Sequence, residues 1–213
     1  MYNNDSTSKE CVWIGVGIDI KPEDSYYPEI VKLSEILKQQ YGSNYEFSTS
    51  NPPHINLYDI DIPKTNLEKA SRSLERIAEK WKHFSVKLAS IDFFKHRAVY
   101  IQCELSNPLR QLEKEIVEAL ADYREGCRTE DYWQPWREYN QLQINNRNKY
   151  GNPHVLDTFT PHITLGCVKT KLSQAVQETK RFFVPTELSV KQIDMVIQNS
   201  NGEFIAREHF KFA

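Results

Sequence analysis

Apolar positions along the chain repeat with two periods. Ile30, Leu33, Ile36 and Leu37 recur at three- and four-residue steps, as do Leu67, Ala70, Leu74, Ile77 and Trp81, and Leu112, Ile116, Val117 and Leu120. Such steps place one apolar stripe on a helix, so helices are predicted over 27–41, 66–81 and 109–123, with a further helical stretch over 173–183. Pro28 and Pro108 stand where a first helical turn accepts proline, and Asn66 and Ser106 are candidate caps. Runs rich in Val, Ile, Tyr and Phe predict strands over 12–20, 84–94, 99–105, 188–198 and 204–212, the last two joined by a tight Asn201-Gly202 hairpin. Strands alternating with helices, plus hairpins, predict an α+β or α/β chain with sheets backed by helices.

One phrase is written twice: Pro53-His54-Ile55-Asn56-Leu57 and Pro161-His162-Ile163-Thr164-Leu165. In an extended strand residues i and i+2 share a face. His54 therefore stands beside Asn56 and His162 beside Thr164, while Ile55, Leu57, Ile163 and Leu165 point into a core. By the same alternation Cys167 joins the core side as a small apolar residue, and no carboxylate falls on the histidine face at ligand spacing. A strand and a helix precede each copy, and a helix and a strand follow it; Phe84-Ser85-Val86-Lys87 is echoed by Leu188-Ser189-Val190-Lys191. Repetition on this scale predicts two related lobes with the two phrases side by side at one site.

Charge and composition narrow the chemistry. With 27 basic against 29 acidic residues the net charge is −2, which argues against a broad basic surface for long nucleic acid and leaves small phosphate ligands open. The chain is 39% hydrophobic, as expected of a globular protein, and no apolar run reaches the roughly 20 residues of a membrane helix. The stretch 1–10 is polar, without the apolar core of a secretory signal, and reads as a flexible N-terminus of a cytoplasmic protein. Cys11, Cys103, Cys127 and Cys167 lack a paired spacing and are expected to be reduced thiols. A metal site is a competing possibility with His154 as third nitrogen donor, but His-x-Asn and His-x-Thr are not metal signatures. His83, His96 and His209 lack a partner motif and read as surface or structural residues.

From 12 to 212, outside a long segment before the second motif, the chain resembles the 2H phosphoesterase superfamily, which includes the 2′-5′ RNA ligase-like proteins and cyclic phosphodiesterases. The resemblance rests on the two His-x-polar motifs; Asn56 departs from the usual Thr or Ser. It implies an α+β, bilobal, pseudo-two-fold fold over 11–213, with two antiparallel-rich sheets lining a cleft and helices outside. It also implies His54 and His162 as general acid and base on a phosphodiester, Thr164 on a phosphate oxygen, and no metal or cofactor. Asn56 can donate through its carboxamide in place of a hydroxyl.

The expected substrate is a small nucleotide or short oligonucleotide carrying a 2′,3′-cyclic phosphate, a 2′-5′ linkage or a cyclic linkage, acted on by a monomer. A nucleotide-binding module without turnover and an RNA end-processing, ligase-like protein remain alternatives. The segment 124–159 reads as an insertion rich in aromatic and charged residues. Trp136, Arg147 and Tyr150 are its substrate-binding candidates if it covers the cleft. Alternatively Trp133 and Trp136 pin it to the body. A short helix is predicted over 131–142.

Overall fold

The computed structural model describes residues 10–127 and 138–213. Eight strands form one antiparallel sheet: β1 (Cys11–Asp19), β2 (His54–Pro63), β3 (Phe84–Phe93), β4 (Ala98–Cys103), β5 (His162–Cys167), β6 (Thr186–Val190), β7 (Gln192–Gln198) and β8 (Phe204–Lys211). Their order is β6-β3-β4-β5-β2-β1-β7-β8. The halves β6-β3-β4-β5 and β2-β1-β7-β8 are joined in the middle by a single residue pair, Ile55 with Ile163.

The run predicted as one strand over 188–198 is broken at Lys191. Its first part pairs with β3 and its second with β1 and β8. Only this residue separates β6 from β7, although they lie toward opposite ends of the strand order. Since neighbouring Cα atoms are about 3.8 Å apart, the sheet must curl until its two ends meet. Phe84 of β3 stacks on Phe212, 6.2 Å between ring centres, beside Trp81, and seals that closure.

The described residues form five α-helices, α1 (Tyr27–Tyr41), α2 (Leu67–Ala78), α3 (Asn107–Leu120), α4 (Gln141–Tyr150) and α5 (Leu172–Phe182); α1, α2, α3 and α5 pack on the sheet, and α4 lies against the short turn Ala121–Arg124. The stripes predicted on α1, α2 and α3 bury Ile30, Leu33 and Leu37, then Ala70, Leu74 and Ile77, then Leu112, Ile116, Val117 and Leu120. Helix α1 follows β1 yet packs on β5, and α3 follows β4 yet packs on β2, so each half is backed by a helix from the other. Ser106 caps α3 by accepting from the Leu109 amide, and Pro28 and Pro108 occupy first turns. Asn66 does not cap α2; its amide donates instead to the Tyr123 carbonyl and the Glu125 carboxylate. Gly202, at φ +77°, closes the β7–β8 hairpin in the left-handed conformation that glycine adopts without penalty.

Two further expectations are corrected. The helix predicted over 131–142 begins only at Gln141: Asn140 caps it through a reciprocal box with Gln143, and 138–140 are not helical. The remainder of that prediction, with Trp133 and Trp136, lies outside the described residues, as does most of the N-terminal stretch. Second, Cys11 and Cys127 form a disulfide. Spacing gave no sign of it because the partners are 116 residues apart; the packing of β2 against the turn at Ala121–Arg124 brings the two regions together. Cys103 and Cys167 are free thiols. Among the described residues no helix is long and apolar enough to cross a membrane.

A cross-link over 116 residues restricts the unfolded chain strongly. Cys127→Ser is expected to lower unfolding free energy by about 2–5 kcal/mol in urea titrations under oxidising conditions, with variant and parent converging when dithiothreitol is present.

Candidate active site

Each motif strand begins at a proline whose carbonyl is held by the neighbouring strand. The Ile20 amide donates to Pro53 O at 2.8 Å, and the Cys103 amide to Pro161 O at 3.0 Å. The single pair Ile55–Ile163 then sets the register across the seam: in an antiparallel pair His54 lies alongside Thr164 and Asn56 alongside His162. Each imidazole stands next to the other motif's polar residue.

The two rings are held alike. His54 Nδ1 lies 2.9 Å from Pro52 O and His162 Nδ1 lies 2.7 Å from Thr160 O, each a carbonyl two residues earlier. A carbonyl only accepts, so each Nδ1 carries the proton and each Nε2 is left for chemistry. Both histidines, with Asn56 and Thr164, line one cavity of about 840 Å³. The ring of His162 is edge-on to Phe94 at 4.9 Å and to Tyr100 at 5.2 Å. That burial lowers its pKa from the ordinary 6.5; the His54 and His96 rings push the same way, and the bond to Thr160 opposes them.

Just after each motif the strand carries one extra residue. Gly17 pairs with Asn56 but Val16 with Tyr58, which leaves Leu57 outside the ladder; Tyr100 pairs with Thr164 but Val99 with Gly166, which leaves Leu165 outside it. The Leu165 carbonyl is taken by Ser34 Oγ of α1 at 2.7 Å. A bulge reverses the alternation beyond it. Asp59 and Cys167 therefore turn onto the histidine face, against the expectation that Cys167 lies in the core. The Asp59 carboxylate accepts from Asn56 Nδ2 at 2.7 Å and from Asn152 Nδ2 of the insertion at 2.9 Å. One N–H of the unusual motif residue is thus committed to a buried carboxylate, which fixes how the carboxamide faces the cleft.

The insertion does reach the cavity, but through other residues than expected. Tyr139, Gln143, Asn152, His154 and Phe159 line it, whereas Arg147 and Tyr150 do not. Tyr150 packs against the core and its carbonyl receives the Tyr58 hydroxyl; Arg147 lies over the Tyr139 ring, 5.6 Å from its centre. Trp136 lies outside the described residues. Opposite, the β3–β4 hairpin supplies Phe94, Lys95 and His96, with His96 stacked on Phe94 at 5.3 Å. His96, read from the sequence as a surface or structural residue, is exposed and lines the cavity from this hairpin. Among the described residues, no group of three or more His, Cys, Asp or Glu side chains is arranged to hold a metal ion.

A family model described as the 2′-5′ RNA ligase superfamily matches residues 22–202. The chain belongs to this superfamily of 2H phosphoesterases. Its members are generally phosphodiesterases. Among solved structures, TT0787 of Thermus thermophilus is similar with TM-score 0.58 and 14% identity over 94% of this chain and 98% of that one. E. coli LigT complexed with NADP+ gives 0.52 and 14% over 94% and 99%, and LigT complexed with 3′-AMP gives 0.52 and 13% over 94% and 98%. At such identities the likeness shows the 2H phosphoesterase fold alone. None of the curated proteins matches the sequence.

If Asp59 and Asn152 act by orienting Asn56, their loss matters only while an asparagine stands there. Asp59→Ala is expected to lower unfolding free energy by about 1–3 kcal/mol in the native background and by less beside Asn56→Thr, as read in urea titrations. Equal losses in both backgrounds would show that Asp59 does not act on Asn56.

Proposed function

We propose that this 2H phosphoesterase is a metal-independent phosphodiesterase that opens a nucleotide phosphodiester by paired imidazole catalysis. The observation that carries this reading is the shared cavity holding two histidines whose Nδ1 protons are both fixed on backbone carbonyls. With its pKa lowered, His162 stands neutral near pH 7 and takes the proton of an attacking water or ribose hydroxyl on Nε2. His54, diagonally across the seam, gives its Nε2 proton to the departing oxygen. One O–P bond forms and one breaks, and the two rings exchange protonation states with no net change in charge.

The Thr164 hydroxyl and the remaining Asn56 N–H stand beside the rings as donors to non-bridging oxygens, where charge grows in the transition state. Lys95 adds a positive charge on the same cavity wall. The substrate is a small nucleotide or short oligonucleotide carrying a 2′,3′-cyclic, 2′-5′ or cyclic linkage. The LigT complexes with NADP+ and 3′-AMP are consistent with that class.

Assays on 2′,3′-cyclic mononucleotides, 2′-5′ oligoadenylates and cyclic dinucleotides test the reading. His54→Ala and His162→Ala are each expected to lower turnover about 10²–10⁴-fold, with parent activity unchanged by EDTA. Near-normal turnover in either variant removes that histidine from the mechanism, and binding without product identifies a module that only holds its ligand.

The pH profile provides a separate check. Its acid limb is expected below 6.5, the ordinary histidine value, because the base must be unprotonated and burial holds His162 down. A limb at or above 6.5 contradicts the assignment of His162 as base.

A further inference from the structure

The cleft does not end at the two motifs. A second pocket of about 120 Å³ shares His54 and Asn56 with the main cavity and runs over the face of β1, β7 and β8. At less than half the roughly 300 Å³ minimum of drug-sized sites, it has room for one flat ring rather than a whole nucleotide.

Its floor is bare peptide. Gly17 permits the close approach of β2, since a Cβ there would stand 2.8 Å from Ile55 O. Gly15 lets the Trp13 indole lie against the strand, since a Cβ there would stand 2.4 Å from Trp13 Cη2. The indole is thereby seated on β1 and lines the pocket.

At the end next to His54 stands Asp19, with a side chain only 6% exposed. Its Oδ2 accepts from Arg207 Nη1 at 2.5 Å, while Oδ1 has no hydrogen-bond partner among the described residues and is not sealed from solvent. Asp194, deeper in the same wall, is fully engaged: it accepts from Gln192, His209 and the Asp19 amide. Arg207 donates through Nη1 to Asp19 and through Nη2 to Ser50 O at 3.0 Å, while its Nε is buried without a partner. The pocket thus offers an aromatic face, a glycine floor and one open carboxylate oxygen. Two carboxylates repel a phosphate; a flat heterocycle with an exocyclic amino group suits all three features.

We propose that this pocket is a nucleobase subsite in which the Trp13 indole stacks the ring and Asp19 Oδ1 accepts from its amino group. The shared His54 and Asn56 then sit between two nucleosides, one in the main cavity and one on Trp13. Resting on the phosphodiesterase reading, the preferred substrate is a phosphodiester linking two nucleosides, with an amino-bearing base at the Trp13 end.

Binding measured without turnover separates this subsite from the catalytic reading. His162→Ala leaves the second pocket's lining intact and serves as the parent. In that background the ligands are ApA and UpU, each 2′-5′- and 3′-5′-linked, and AMP as a single-base control. Trp13→Leu is expected to weaken ApA about 10-fold or more, and at least 5-fold more than it weakens AMP, while Trp13→Phe restores most of the loss. Asp19→Asn is expected to abolish the preference for ApA over UpU. Equal weakening of ApA and AMP, or a preference for ApA that survives Asp19→Asn, overturns the subsite. ApA binding that depends on Trp13 in a protein that cleaves none of the phosphodiesters keeps the subsite and removes the enzymatic reading.

Discussion

One backbone contact holds the two motifs together: the pairing of Ile55 with Ile163 where the two halves of the sheet touch. Both side chains are fully buried, and burying an isoleucine stabilises by about 1.5–3 kcal/mol. Beyond it the pairing of β2 with β5 stops, and each strand carries an extra residue, Leu57 or Leu165, against its outer neighbour. Longer pairing would have closed the cleft. No pairing would have left two histidines on unrelated surfaces. At the far side Lys191 passes the chain from one half to the other, and Phe84 and Phe212 pack across the join, so the halves cannot swing apart about the seam.

What the two halves share and where they differ separate chemistry from recognition. The shared parts are the proline carbonyl held by the neighbouring strand, the imidazole fixed on the carbonyl two residues back, and the bulge that follows. The differences lie one step out. Asp59 occupies in the first half the position that Cys167 occupies in the second, and only the first half has an asparagine that such a carboxylate can orient. Asn152 reaches Asp59 from the insertion, so the part of the chain without a counterpart in the first half also supports the motif residue that departs from the family pattern.

Much of this was legible in the residues. The apolar stripe over 27–41 became α1 with the same bounds, and the doubled His-x-polar phrase led to the cavity, because local periodicity and pseudo-repetition are written into neighbouring positions. The break at Lys191 was not legible: residues on both sides favour strand, and the interruption follows from which neighbours the strand finds. Asp59 and Cys167 escaped for a related reason, since alternation holds only while the ladder is regular and a bulge leaves no mark in composition. The disulfide depended on a tertiary approach that spacing does not encode. Arg147 and Tyr150 had suitable chemistry but sit on α4, where one lies over Tyr139 and the other packs against the body.

The cleft is electrically lopsided although the chain is nearly neutral. Lys95 and His96 stand on the β3–β4 side with His162, Glu138 comes from the insertion, and Asp59, Asp194 and the Asp19–Arg207 ion pair stand on the side of His54. In the proposed function, a phosphodiester entering this field places its charge toward the lysine and turns an uncharged, hydrogen-donating portion toward the carboxylates. That polarity distinguishes the ends of a substrate which the pseudo-two-fold framework alone would accept either way round. It also fits the division of labour between the rings. The apolar contacts of His162 with Phe94 and Tyr100 go with a lowered pKa, the direction that the proposed base requires, and the proposed acid, His54, stands across the seam.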